Sequence, residues 1–505
     1  MGINVYIRPD GQGFGFLLSV ARLLTHDHNV IIGGNVGIKK LIQRVAPELE
    51  ENVAMLSNYK PNIDEDEIVK ECREREMKYG EYFSMISSND RGLGKGYLFN
   101  ADKHPHMERS WWGHEEKLRS MLGDFIYYEQ IIDEHSPGVI ISGGNNKIAN
   151  LVARHQSIPT LTLTNAKLGD RYMWVENEYL HNTKLREAIA RYLEHPSGYG
   201  DASPQDYEQV TASRVKHSRI DYSYQGALKV LVRRIIRESY ILARSTASRL
   251  YRRKAPIRRT GYRFLGWIPP SVINKPLMFR YVSKHGVKPE ELGDYRTIYF
   301  PLHLEPEVAL MAVSPEFNNS MEAITWISKS LPADTLLVVK EQPFSFGIRS
   351  KHYYDNLRRI GNVVLADPTV HPWDWIKEAE FTATITGTAG VEAVYFGKPV
   401  LSFGKHQYIN ALPTVRYANN YESTQRGIQE LLALDSDDEL FKVSRTAVYR
   451  AQTETSFEHV VVEDRNRSAE PSPEDRYRYT ELKPELARRA VAELYKQYPG
   501  VFKTP

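Results

Sequence analysis

The chain is almost without cysteine. Cys72 stands alone among 505 residues, so neither an internal disulfide framework nor a cysteine-based zinc site can form. A reducing, cytoplasmic setting is the expectation that follows. Long apolar runs are missing as well. No stretch of 18 or more such residues occurs, and none can cross a bilayer as a helix. The opening Met-Gly-Ile-Asn-Val-Tyr lacks a basic segment followed by an apolar one, so no secretory signal is expected there. Net charge is only +3, and it is unevenly distributed. His104, His106 and His114 lie close together without a compact carboxylate set beside them. They are read as polar loop residues and not as zinc ligands, and chemistry without metal or cofactor is expected.

What is present is the composition of a globular protein, 41% hydrophobic and 26% charged, at a length too great for one ordinary core. Two α/β blocks can be read. In the first, strands at 3–9, 29–34, 138–144 and 159–165 alternate with helical segments at about 16–24 and 147–155, interrupted by a charged insertion at 63–135. In the second, strands at 296–304, 334–343, 362–367, 381–387 and 399–404 alternate with helices at 319–331, 352–360, 371–379 and 390–397. Strands separated by helices predict parallel sheets covered on both faces. Two Rossmann-like, doubly wound domains facing each other across a cleft make the GT-B architecture. The expected division is 1–280, 281–475, and a helix within 476–505 that crosses back onto the first domain.

The stretch ITGTAGVEAVYFGKPVLSFG (385–404) places small residues where a strand hands over to a helix. Ligands of open α/β sheets bind at the carboxyl ends of the strands. A small-residue turn there lets the backbone approach a phosphate, and the following helix offers N–H groups and the positive end of its dipole. Thr386, Gly387, Thr388, Ala389 and Gly390 fit that task, and Glu392 can accept a hydrogen bond from a ribose hydroxyl. The competing reading is that the glycines only permit close helix–sheet packing. In the first block Gly11, Gln12 and Gly13 follow a strand without the acidic partner of a dinucleotide fingerprint. Asn145, Asn146 and Lys147 end another strand; they suit acceptor hydroxyls or a phosphate, or simply cap a helix.

Four segments then carry a resemblance: PLHLEPE (301–307), VVKEQP (338–343), YYDNLRRIGNVVLADP (353–368) and TITGTAGVEAVYFGKPVLSFG (384–404). In that order they resemble the nucleotide-binding half of capsular polysaccharide biosynthesis proteins, a group that includes the capsule Kdo transferases and is akin to bacterial sialyltransferases. The resemblance covers about 290–410 and is fainter over 158–182. It implies a bacterial GT-B glycosyltransferase with a nucleotide-sugar donor (CMP-Kdo-like, or a UDP- or GDP-hexose) and a growing, lipid-linked surface glycan as acceptor. It also implies a donor site that includes Gln342 and Pro343. Relatives carry histidine where this chain has Gln342, which can donate a hydrogen bond to a phosphate but holds no exchangeable proton at neutral pH. Leaving-group charge would then fall to basic groups such as Lys340, Lys398 or Arg349. On the acceptor side Glu176, Asp170 and His303 are the catalytic candidates, with Arg171, Glu305 and Glu307 beside them. A UDP-sugar 2-epimerase on the same fold and a non-catalytic assembly scaffold are the rival readings.

Between Arg214 and Arg263 there are fifteen Lys or Arg and two acidic residues, Asp221 and Glu238. Residues 226–253 have helical spacing, with Leu228, Leu231, Val232, Ile235 and Leu242 broadly on one side. A basic amphipathic helix is expected to meet anionic lipid, placing the enzyme peripherally on the inner face of the inner membrane. Plain packing and nucleic-acid binding are the alternatives; the lack of aromatics spaced for base stacking argues against nucleic acid.

Overall fold

The computed structural model describes residues 2–502 outside 10–12, 56–64, 91–92, 94–111, 145, 197–199, 217–221, 306, 318, 435–437 and 459–482, and, of 227–273, only eight positions between 228 and 239. In the first domain β1 (Asn4–Arg8), β2 (Asn29–Gly34), β3 (Val53–Met55), β4 (Val139–Ser142) and β5 (Thr160–Asn165) form a parallel sheet ordered β3-β2-β1-β4-β5. β6 (Arg171–Glu176) then returns antiparallel along β5. The inner strands are nearly all apolar because helices cover both faces. Those helices are α1 (Phe14–Leu24), α2 (Val36–Val45), α3 (Glu65–Tyr79), α4 (Phe83–Asn89), α5 (His114–His135), α6 (Lys147–His155), α7 (Thr183–Glu194) and α8 (Pro204–Lys216). The helical insertion has its own core, in which Phe83, Leu122 and Phe125 pack against Ile148, Leu151 and Val152 of α6.

The second domain opens on α9 (Lys275–His285), whose Val282 is packed with Ile298, Phe300 and Tyr354. The expected boundary at 280 therefore cuts a helix that belongs to the second core. β7 (Arg296–Pro301), β8 (Thr335–Lys340), β9 (Val363–Leu365), β10 (Phe381–Thr384), β11 (Val400–Ser402) and β12 (Val415–Tyr417) form an all-parallel sheet ordered β12-β11-β10-β7-β8-β9. Its helices are α10 (Val308–Met311), α11 (Met321–Ser330), α12 (Lys351–Arg359), α13 (Pro372–Glu378), α14 (Thr388–Tyr395) and α15 (Tyr421–Leu432). Five strands are expected from the sequence and six are present. The short β12 carries too little pattern to be read, and its pairing with β11 supplies the order.

The chain returns to the first domain well before 476. On α16 (Asp438–Thr455), Val448 and Ala451 share a core with Leu185 and Ile189 of α7, and β13 (Phe457–Glu458) pairs antiparallel with β6. α17 (Pro484–Gln497) then packs Leu486, Ala490, Val491 and Leu494 against Phe16, Leu17 and Trp174. Full burial of each large aliphatic side chain contributes about 1.5–3 kcal/mol, so this helix holds the crossing in place. The indole N–H of Trp174 donates to the Ala490 carbonyl at 3.0 Å. Two parallel-sheet domains joined in this way, with the carboxyl-end loops of β5 and β10 in contact, constitute the GT-B fold.

Candidate active site

On the second-domain side β10 ends at Thr384, and α14 begins at Gly387 with no side-chain cap and no acidic residue in its first turn. The Gly387 N–H donates to Thr384 Oγ1 at 3.0 Å, and the N–H groups of the first turn that follow have no side-chain cap and are aimed at the edge of the sheet. Both glycines of the turn are required by close approach. A Cβ on Gly387 would stand 2.8 Å from Thr384 Oγ1, and one on Gly390 2.8 Å from Thr384 Cγ2 and 3.0 Å from Ile409 Cδ1. Glu392 is half-buried one turn further on, and its charge reaches both Tyr299 and Lys167.

His303, just beyond β7, is buried beneath this turn, and the Thr386 N–H donates to its Nε2 at 3.4 Å. Burial lowers its pKa to about 3, helped by the positive charges of Lys167 and Arg349. Such an imidazole is neutral at physiological pH, and its acceptor nitrogen is already committed. It positions the Thr386 amide; it is not placed to take a proton, which corrects the catalytic role expected of it.

Other expected site residues are engaged elsewhere. Arg349 is fully buried between Glu341 at 2.6 Å and Glu305 at 3.2 Å, and also donates to the His303 carbonyl. Glu305 in turn accepts from the backbone N–H and hydroxyl of Ser320, both at 3.0 Å. Neither can serve an acceptor sugar or a leaving group, because both are spent in a buried ion cluster. Lys340 is buried and donates to the Asp367 carbonyl at 3.0 Å, with burial lowering its pKa to about 8. Gln342 starts the turn that includes Pro343, and its N–H donates to the Glu341 carboxylate at 2.6 Å. Lys398 precedes β11 and feels Glu380 and Glu378, which flank the start of β10. It stands at the amino end of the sheet, away from the cleft.

On the first-domain side Gly13 caps α1 without a side-chain bond. Asn146 caps α6 through the Ala149 N–H at 2.9 Å, and its amide donates to the Tyr128 hydroxyl, which also receives Arg8. Lys147 is buried against Glu81 at 3.0 Å. Gly11, Gln12 and Asn145 lie outside the described residues, as do His104 and His106. Glu176 pairs in register with Leu161 near the start of β5. It therefore sits at the opposite end of the sheet from the cleft, with its carboxylate on the Thr183 hydroxyl at 2.7 Å. Arg171 is tied to Ser456 Oγ at 2.7 Å and to the Thr453 carbonyl, at the return crossing. Asp170 remains half-exposed at the carboxyl edge of β5.

The residue that brings the two halves together was not among those singled out. Lys167 lies in the turn between β5 and β6, in the left-handed region at φ +59°, with its N–H donating to Asn165 Oδ1. Its Nζ donates across the cleft to the Thr386 carbonyl at 3.0 Å and to Gln407 Oε1 at 3.1 Å. Nearby, Tyr179 stacks on His406 with ring centroids 4.0 Å apart, and Arg186 donates to the His406 carbonyl at 2.8 Å. The Asn-x-Lys-x-Gly turn was the available signal, since a non-glycine residue between Asn165 and Gly169 can be held in a left-handed conformation by an Asx bond. Among the described residues no group of three or more His, Cys, Asp or Glu is arranged to hold a metal, and no helix is long and apolar enough to cross a membrane.

Among solved structures the chain is similar to the beta Kdo 2,7 transferase KpsC of Thermosulfurimonas dismutans, at TM-score 0.29 and 13% identity over 63% of this chain and 88% of that one. It is similar to the UDP-GlcNAc 2-epimerase of Neisseria meningitidis bound to UDP-GlcNAc, at TM-score 0.27 and 13% identity over 90% and 98%. It is also similar to Os79 of O. sativa in complex with UDP, at TM-score 0.27 and 10% identity over 96% and 100%. At these values the likenesses carry no argument of their own, and the fold assignment rests on the topology of the two sheets. No curated protein matches the chain. Residues 275–437, which run from α9 to just beyond α15, match the model of one sequence family. That stretch, which holds the six-stranded sheet and the helix at the cleft, is similar to the capsule polysaccharide biosynthesis protein family.

Proposed function

We propose that this chain is a glycosyltransferase that moves a sugar from a nucleotide-activated donor to a growing, lipid-linked surface polysaccharide. The observation that carries the reading is the α14 N-terminus. Uncapped N–H groups, two glycines that keep side chains out of the turn, and a carboxylate at Glu392 suit a phosphate and a ribose respectively. The match to the capsule polysaccharide biosynthesis family over the same residues supports a role in glycan assembly. The donor is a CMP-linked keto sugar acid or a UDP- or GDP-hexose, held by Gln342, Pro343, Thr386, Gly387, Thr388, Ala389, Gly390 and Glu392. The first domain receives the acceptor near Gly11–Gly13 and Asn145–Lys147, and Asp170 is the carboxylate assigned to activate its hydroxyl.

The same proposal places the enzyme in the cytoplasm, peripheral to the inner face of the inner membrane, docked through the basic segment 214–263. Most of that segment lies outside the described residues. Where it is described, Leu228, Val232, Ile235 and Ile236 are exposed at the spacing of one helix face, Ile236 to 65%, beside exposed Lys229 and Arg233. That pairing of apolar stripe and positive charge suits anionic lipid.

The test is a thermal-shift titration with CMP, UDP, GDP and CDP, with and without Mg²⁺. A cognate nucleotide at ~100 times its Kd stabilises the native state by roughly 2.7 kcal/mol. One nucleotide should shift the transition selectively, and Glu392→Ala should abolish that shift while the unliganded protein melts as before. No shift with any nucleotide would favour the scaffold reading, to which the loss of histidine at Gln342 also points. Release of free sugar from the donor without an acceptor would favour the epimerase.

A further inference from the structure

Lys167 is a half-buried cation with no counter-charge in contact among the described residues. Its ammonium reaches from the first domain to the lip of the α14 turn and finds two neutral acceptors there, the Thr386 carbonyl and the Gln407 amide oxygen. An ammonium has three donors, and among the described residues the third is unspent. No carboxylate of the described residues stands within ion-pair distance of it. The groups that face it are Glu307 ahead of α10, Glu392 on α14 and the neutral His303 behind β7, with Asp170 on its own turn. Glu307 and Glu392 act on it only at a distance. Arg349, the other cation acting on His303, is neutralised by its own pair of glutamates. Desolvation lowers the Lys167 pKa to about 8 against the opposing charges of Glu307 and Glu392. Its backbone is held in the left-handed region by an Asx bond, a conformation that persists only where the surroundings over-determine it.

We propose that Lys167 is the first domain's contact to the donor phosphate, supplying the positive charge at the mouth of α14 so that a nucleotide is gripped by both domains at once. The inference rests on the donor-site reading above and adds a residue and a charge requirement to it. A phosphate oxygen at the α14 N-terminus meets the third N–H of the ammonium and adds an anion to its two neutral acceptors. Because only the protonated amine does this, free protein loses affinity as pH rises through about 8. The role lost by the exchange of histidine for Gln342 is thereby met from across the cleft, by charge and not by proton donation.

The experiment is calorimetric titration of the full chain, as wild type, K167Q and K167R, with inorganic pyrophosphate and with the nucleotide that gives the largest thermal shift, from pH 6.5 to 9.5. The ligand's own titration is common to all three proteins. Wild type should lose affinity above pH 8 by up to about tenfold per unit. K167Q should bind roughly 10- to 100-fold more weakly at pH 7 and lack that limb, and K167R should bind within a few-fold of wild type, also without it. Melting of each unliganded variant within a few degrees of wild type establishes that folding is intact. Nucleotide binding by K167Q equal to wild type, with the same pH limb, overturns the inference and leaves the donor site standing. Binding of pyrophosphate that depends on Lys167, with no nucleotide bound, sustains the anion site and removes the nucleotide reading. Binding of neither ligand overturns both.

Discussion

The buried cluster around Arg349 makes the sharpest prediction about what holds the second domain together. Its guanidinium is 1% exposed and joins Glu341 at 2.6 Å and Glu305 at 3.2 Å. The Tyr354 hydroxyl donates to the other Glu341 oxygen at 2.7 Å. These contacts tie the loop after β8 to the loop after β7, beneath the turn at 386–390. Arg349→Met leaves two buried carboxylates without a counter-ion, and breaking such a pair costs about 3–5 kcal/mol. For a domain of this size each kcal/mol lowers the melting temperature by roughly 2–4 °C, so the second domain should melt roughly 6–20 °C lower at pH 7.5. Burial already pushes the Glu341 carboxyl upward against the guanidinium and the hydroxyl that oppose it. With Arg349 gone, the folded variant takes up a proton there that the unfolded chain does not hold. A carboxyl raised in the folded state gives stability that falls as pH rises, so the deficit should shrink between pH 7.5 and 5. Differential scanning calorimetry across that range measures both effects, and E305Q/E341Q/R349M should recover most of the loss. A fall below about 3 °C that does not vary with pH would refute the argument that this cluster stabilises the domain.

Two further outcomes follow from the same site. Gly390→Ala puts a Cβ 2.8 Å from Thr384 Cγ2 and 3.0 Å from Ile409 Cδ1. Overpacking there should cost about 1–3 kcal/mol and reduce the nucleotide-dependent thermal shift, as calorimetry of the free and liganded variant would measure; unchanged melting and binding would count against close helix–sheet approach at this turn. His303 is held neutral, its pKa lowered by burial to about 3. Below pH 6.5 the unfolded chain binds a proton at this position that the folded chain refuses, so it contributes a loss of stability as pH falls, up to about 1.4 kcal/mol per unit. His303→Gln should flatten the stability profile between pH 6.5 and 4 relative to wild type, and identical profiles would show that the imidazole titrates freely.

Much of this protein is legible along the chain. The alternation of apolar runs with amphipathic segments is enough for two parallel-sheet domains, because a strand buried on both faces must be apolar throughout and its covering helices must be apolar on one. The small-residue turn at 386–390 is readable for a similar local reason, since only small side chains let a helix start against the sheet edge. Direction and partnership are not local. Glu176 looks like a strand-end carboxylate, but β6 runs antiparallel to β5 and carries it to the far end of the sheet. Lys398 lies close in sequence to the turn at 386–390, yet α14 intervenes and returns the chain to the amino end of the strands. Glu305 and Arg349 are 44 residues apart and acquire their meaning only when β7 and β8 pair and bury both. Lys167 and Thr386 are separated by 219 positions. Sequence alone determined which segments could form strands, helices and a small-residue turn; the tertiary fold decided which charges are paired in its interior and that Lys167 reaches from one domain to the other, because burial and counter-charge are properties of the packed chain and not of any stretch of it.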